Sequence, residues 1–165
     1  MNRRAILIVA GIAFAVAAWA LFRPELLFIN KRVNEAAPVL ATSGPAASRS
    51  PVVLASGRFH KGEHDTKGTA EILRLPDGNR ILRLTGFETS NGPDVRVLLV
   101  GAPDPMDNDT VKNAKRLELG SLKGNIGDQN YDVPADADLS AYNSVVIWCN
   151  RFGVNFGAAP LAVGG

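Results

Sequence analysis

Side chains able to do chemistry are few in this chain, and the only cysteine, Cys149, is the most informative of them. A lone cysteine in an exported domain has no internal partner, so its thiol is free, joins two chains or binds something. Period-two alternation puts Val145, Ile147 and Cys149 on one face of a strand and Val146 and Trp148 on the other. The plain reading is therefore a small buried hydrophobe with an inert thiol. His60 and His64 are the only histidines. Four apart on a continuous strand they would share a face suited to a metal, but Gly62 between them argues for a bend, and no third ligand lies near. Asp104, Asp107 and Asp109 make an acidic loop that lacks the glycine and distal glutamate of an EF-hand, which leaves solvated carboxylates as the simpler reading. Asn108-Asp109-Thr110 is a formal glycosylation sequon. No phosphate-binding loop, dinucleotide fingerprint, G-x-S-x-G or H-E-x-x-H occurs.

The elements that must position these residues are short. Ser56–Lys61, Thr69–Leu75, Arg80–Thr85, Asp94–Val100, Arg116–Leu119, Tyr131–Val133 and Ser144–Cys149 read as strands, with Gly153–Phe156 as a candidate eighth. Pro76-Asp77-Gly78-Asn79 is a hairpin turn. In Asp94–Val100, Val95, Val97 and Leu99 share one face while Leu98 and Val100 take the other, as in a central strand buried on both sides. Asp138 to Tyr142 reads as one helical turn capped by Asp138. The expectation is an all-β antiparallel sandwich or barrel of about seven or eight strands.

Before that domain stands Ala5–Phe22, 18 residues without a charge. As a helix it spans roughly 27 Å, against a hydrocarbon core of about 30 Å. Residues 1–23 are thus expected to be a single-pass anchor in the cell membrane, with the bilayer met by residues 5–22. Arg3 and Arg4 favour a cytoplasmic N-terminus and a domain on the far side. Ala18-Trp19-Ala20 has the form of a signal-peptidase site, so a cleaved leader is the alternative, and it too exports the domain. Residues 24–50 read as a juxtamembrane segment and linker, the stretch from Ala36 to Pro51 being small, polar and Pro-punctuated. Residues 51–165 are the domain. From Pro51 onward 12 Lys/Arg stand against 14 Asp/Glu, a formal charge of −2, and without a basic stripe nucleic acid is not an expected partner.

Several of these segments together resemble a known family. Gly57-x-Phe59, His64-x-x-x-Gly68, Gly92-Pro93-Asp94-Val95 and Val146-Ile147-Trp148-Cys149, followed by Phe152, Phe156-Gly157 and Leu161, are similar to the DM-thirteen domain over about residues 54–161. The run from Pro24-Glu25-Leu26-Leu27-Phe28 to Val33-Asn34-Glu35 is similar to the post-anchor segment of bacterial members. The resemblance implies an all-β fold and an electron-transfer role, with the family cysteine acting as a naked thiol or as ligand to a prosthetic group such as haem. Carried over, that role falls on Cys149, with His64 as second candidate and Asp94 and Trp148 in the supporting motif. No DOMON partner accompanies the domain, so a redox or envelope protein is expected to supply the partner. The expectation is a membrane-tethered redox module, electron-transferring or binding rather than enzymatic. The alternatives are a non-catalytic envelope scaffold with Cys149 as core filler, and a Cys149 that links two chains.

Overall fold

The computed structural model describes residues 2–22, 29–38 and 50–164. The Pro24–Phe28 run and most of the expected linker, residues 39–49, lie outside the described residues. Helix α1 covers Arg3–Phe22 and is long and apolar enough to cross a membrane.

Among the described residues ten strands follow: β1 Val52–Arg58, β2 His60–Lys61, β3 Lys67–Arg74, β4 Arg80–Glu88, β5 Val95–Val100, β6 Arg116–Ser121, β7 Gln129–Val133, β8 Ser144–Cys149, β9 Val154–Pro160 and β10 Ala162–Val163. They form two five-stranded antiparallel sheets, ordered β10-β1-β3-β4-β7 and β2-β9-β8-β5-β6. The sheets face each other without closing into a barrel, which removes the barrel alternative. Strand number exceeds the expected seven or eight for a local reason. The expected strand Ser56–Lys61 is two strands in different sheets, because the chain changes sheet at Phe59, and β10 is a two-residue edge. The hairpin at Pro76–Asn79 closes with Leu75 N–H on the Asn79 carbonyl at 2.8 Å. Asp138 caps a 3-10 turn, Leu139–Ala141, as expected.

Alternation decides what fills the space between the sheets. Val95, Val97 and Leu99 of β5 and Val145, Ile147 and Cys149 of β8 meet Ile72, Leu82 and Leu84 of the other sheet in one buried cluster. The opposite faces of β5 and β8 (Leu98, Val100, Val146, Trp148) are buried too, because a short helix, α2 (Asn108–Asn113), lays Val111 over them. The acidic loop expected there is this helix and its entry: Asp107 is the N-cap, accepting from Thr110 N–H at 2.7 Å. Six residues are too few for the helical period to show in sequence.

The second sheet's partner has a covered outer face as well. Arg83 of β4 points away from the core, yet its side chain is only 10% exposed. Residues 31–36 lie alongside as a strap. Val33 N–H bonds the Ile126 carbonyl at 2.9 Å, Ile126 N–H bonds the Lys31 carbonyl at 3.3 Å, and Glu35 N–H bonds the Asp128 carbonyl at 2.9 Å. Arg83 then donates to the Ala36 carbonyl at 3.1 Å, to Asn130 Oδ1 at 2.9 Å and to Asp128 Oδ2 at 2.7 Å.

Candidate functional site

Cys149 ends β8 between Val95 on β5 and Val154 on β9, and it is fully buried. Its position is fixed by the turn that follows. Gly153 N–H bonds the Cys149 carbonyl at 2.9 Å, and Asn150 N–H bonds the Asp94 carbonyl at 2.8 Å. Asp94 is the organiser of this corner. Its carboxylate accepts from Arg96 Nε at 2.5 Å and from Asn150 Nδ2 at 3.2 Å. Partial burial on its own would raise the Asp94 pKa, but the hydrogen bonds from Arg96 and Asn150 outweigh it and hold the carboxyl below its usual range. Trp148, next in the motif, points the other way and packs under α2. Asp94 therefore orients the backbone around Cys149, whereas Trp148 serves the outer core.

The two histidines diverge. Gly62 is where the chain bends, since a side chain there would place Cβ 2.5 Å from the Asn155 carbonyl oxygen. His60 goes to the loop before α2, with Nε2 2.7 Å from Asp104 Oδ1 and Nδ1 2.9 Å from the Lys61 carbonyl. Both ring nitrogens are thus engaged. His64 instead stacks on Phe156, with ring centroids 3.9 Å apart. Phe156 belongs to the same core cluster as Cys149, and His64 N–H also bonds the Phe156 carbonyl at 3.2 Å, so His64 borders the thiol's surroundings through Phe156. Asp109 pairs with Lys112 at 3.2 Å. Among the described residues, no group of three or more His, Cys, Asp and Glu side chains could hold a metal.

Two hollows flank the ridge Asn91-Gly92-Pro93 at this end of the sandwich. A cleft of about 400 Å³ runs along Ile29, Asp94, Leu122 and Asn125. A smaller one of about 110 Å³ is lined by His64, Phe152, Val154 and Phe156. Cys149 lines neither. A haem ligated by Cys149 would need a sizeable apolar pocket opening onto the sulfur. The residues present do not fit that group, because Val95, Val154 and Phe156 close around the thiol.

Sequence reasoning did not find the polar lock beside the cleft. Asn125 Nδ2 donates to the Thr89 carbonyl at 3.0 Å and to Asn30 Oδ1 at 2.9 Å, while Asn91 Nδ2 donates to the Ile29 carbonyl at 2.6 Å. Lys123 Nζ pairs with Glu35 at 2.8 Å. The hydrogen bond from Lys123, against some opposing burial, keeps the Glu35 carboxyl below its ordinary pKa. Tyr131 donates to Gln129 Oε1 at 2.7 Å, and burial pushes its phenol up to about 12. The signal that existed was the density of Asn and Gly at 124–130, which marks a loop without saying what it binds.

Fold and site together define a small, mostly β domain with one buried thiol, preceded by one apolar helix. The chain belongs to the family described as Electron transfer DM13, which it matches over residues 58–161. Neither a curated protein nor a solved structure matches it.

Proposed function

We propose that the chain is a membrane-tethered, non-catalytic module of the cell envelope that binds or scaffolds, with Cys149 as core filler rather than as a redox centre. The observation that carries this reading is the complete burial of Cys149 between β5 and β9, where it lines neither cleft. Thiol–disulfide exchange needs an attacking thiolate to reach the sulfur, and a ligand role needs open space beside it. The corner tied by Asp94 and Asn150 allows neither without local opening. The same burial speaks against a disulfide between two chains. α1 supports the tether, with residues 5–22 meeting the lipid and the domain lying outside the cytoplasm.

Electron transfer through Cys149 is the second reading, and membership of the DM13 family is what favours it. An absorption spectrum and a thiol titration on the native full chain separate the two. Under the scaffold reading there is no Soret band, and Cys149 reacts only as fast as the domain unfolds. Cys149→Ala then costs about 1 kcal/mol, the worth of a methyl-sized void in a packed core. A Soret band, or rapid labelling in the folded state, overturns the scaffold reading in favour of the redox one.

A further inference from the structure

The strap restricts how far the domain can sit from its anchor. Residues 31–36 are bound to the domain by backbone hydrogen bonds at Ile126 and Asp128, and Ile29 and Asn30 are held by Asn91 and Asn125. Beyond Ala36, whose carbonyl accepts from Arg83, the chain returns to the domain at β1. The described residues on both sides of the expected linker thus lie on the domain, so the linker adds nothing to the reach from the helix. Only residues 23–28 separate the end of α1 from the docked Ile29. Whatever path they take, that step reaches at most about 25 Å at roughly 3.3–3.6 Å per residue. A domain of about 110 residues has a radius of gyration near 13 Å and a diameter of around 35 Å. On so short a lead it cannot turn its far end to the membrane.

The end from which the lead emerges carries apolar side chains in the open. Ile29 and Phe152 are each 59% exposed and stand on either side of the Asn91–Pro93 ridge, Ile29 in the larger cleft and Phe152 in the smaller. Phe152 occupies the tip of the β8–β9 turn, where nothing in the fold requires a large ring. Beside Ile29 the strap exposes Lys31 and Arg32, the charge that an anionic lipid surface attracts at about 1 kcal/mol per residue.

We propose that the domain rests on the bilayer that holds its own helix, seated through the end that carries Ile29, the Asn91–Pro93 ridge and Phe152. This rests on the membrane reading of α1 and adds an orientation to it. The far end, with the hairpin at Pro76–Asn79 and the loop Pro134–Asp138, faces away and is left for other partners. Cys149, at the lipid-side end of β8, lies beneath the contact.

The test is a depth measurement on the full chain in vesicles of phosphatidylcholine with phosphatidylglycerol. In a Cys149→Ala background, Phe152→Cys and Asp136→Cys each take a nitroxide, and the label's accessibility to lipid-soluble oxygen is compared with that to an aqueous nickel chelate. Both sites are exposed, so neither change burdens the core. The label at 152 is expected at or below the phosphate level and the label at 136 in water. Labels equally accessible to nickel, in protein that resists carbonate extraction, overturn the orientation while the anchor stands. Protein released by carbonate overturns both.

Discussion

Gly127 is the position where the strap can be tested with one methyl group. Its φ is +106°, and a Cβ there would overlap the Val33 carbonyl oxygen and stand 2.5 Å from Asn34 Oδ1. Gly127→Ala must therefore move either the β6–β7 loop or the strap. Gly127 N–H also bonds the Phe87 carbonyl at 2.7 Å, which ties the loop to β4, so the strap is the part that gives. Lifting it breaks the three backbone bonds Val33–Ile126, Ile126–Lys31 and Glu35–Asp128. At about 1 kcal/mol each they contribute roughly 3 kcal/mol. The left-handed backbone adds about 1–2 kcal/mol for any L side chain.

Gly78→Ala is the matched control. Gly78 also has positive φ, +90°, in the Pro76–Asn79 hairpin, but an added Cβ meets nothing within 4 Å. It carries the backbone strain without the collision. Urea unfolding of the full chain in lipid nanodiscs, followed by Trp148 fluorescence with Trp19→Phe, reads the difference. With m of about 1.5 kcal/mol per molar, Gly127→Ala should unfold about 2 M earlier than Gly78→Ala. Midpoints within about 0.3 M of each other would refute the reasoning and leave the strap as a passive neighbour.

Acid should loosen the strap first. Glu35 and Asp94 have lowered pKa values in the fold, so the stability they contribute is complete above the unfolded carboxylate range and is lost as pH falls through their folded values. Protection of the Val33 and Glu35 amides, taken after correction for the intrinsic pH dependence of exchange, should fall as the pH drops below the ordinary carboxylate range more than protection in β3, and Glu35→Gln should remove most of that difference. Tyr131→Phe leaves the fully buried Gln129 short of a donor and should cost about 1–3 kcal/mol in the same urea assay. In an alkaline absorbance titration the same variant should lack the phenol ionisation expected near pH 12.

What could be read from sequence was whatever apolar alternation controls. The faces of β5 and β8, and with them the inward direction of Cys149, follow from side chains of period two in strands buried on both sides. The ends of the strands were less legible. β9 runs on through Gly157-Ala158-Ala159-Pro160, residues with little strand preference, because Ala158 and Ala159 fit where the sheets leave no room for more. β1 begins at Val52 and Val53, which are half exposed and follow a stretch with linker composition. The strap was hidden for a different reason. It does alternate, with Val33 and Glu35 turned inward and Arg32 and Asn34 outward, but one inward residue is a charge. A hydrophobic pattern cannot register Glu35, whose partners Lys123 and Asn130 lie some 90 positions later.

That concealment bears on where the domain begins. The family match opens at Arg58, after the strap, yet it contains Arg83. Arg83 is a nearly buried guanidinium whose neighbours include the Ala36 carbonyl, outside the match, and Asp128 and Asn130, inside it. With the strap gone, the inner acceptors remain, but the charge is opened to water, and Gly124, Asn125 and Gly127 lose the cover of Lys31 and Val33. Screening then weakens the Arg83–Asp128 pair from a shielded contact to a surface one. The residues nearest the anchor thus act on the middle of β4, so pulling on the lead from α1 loads the sheet directly. A force or an acid step that releases the strap would lengthen the lead from six residues to the whole stretch before β1.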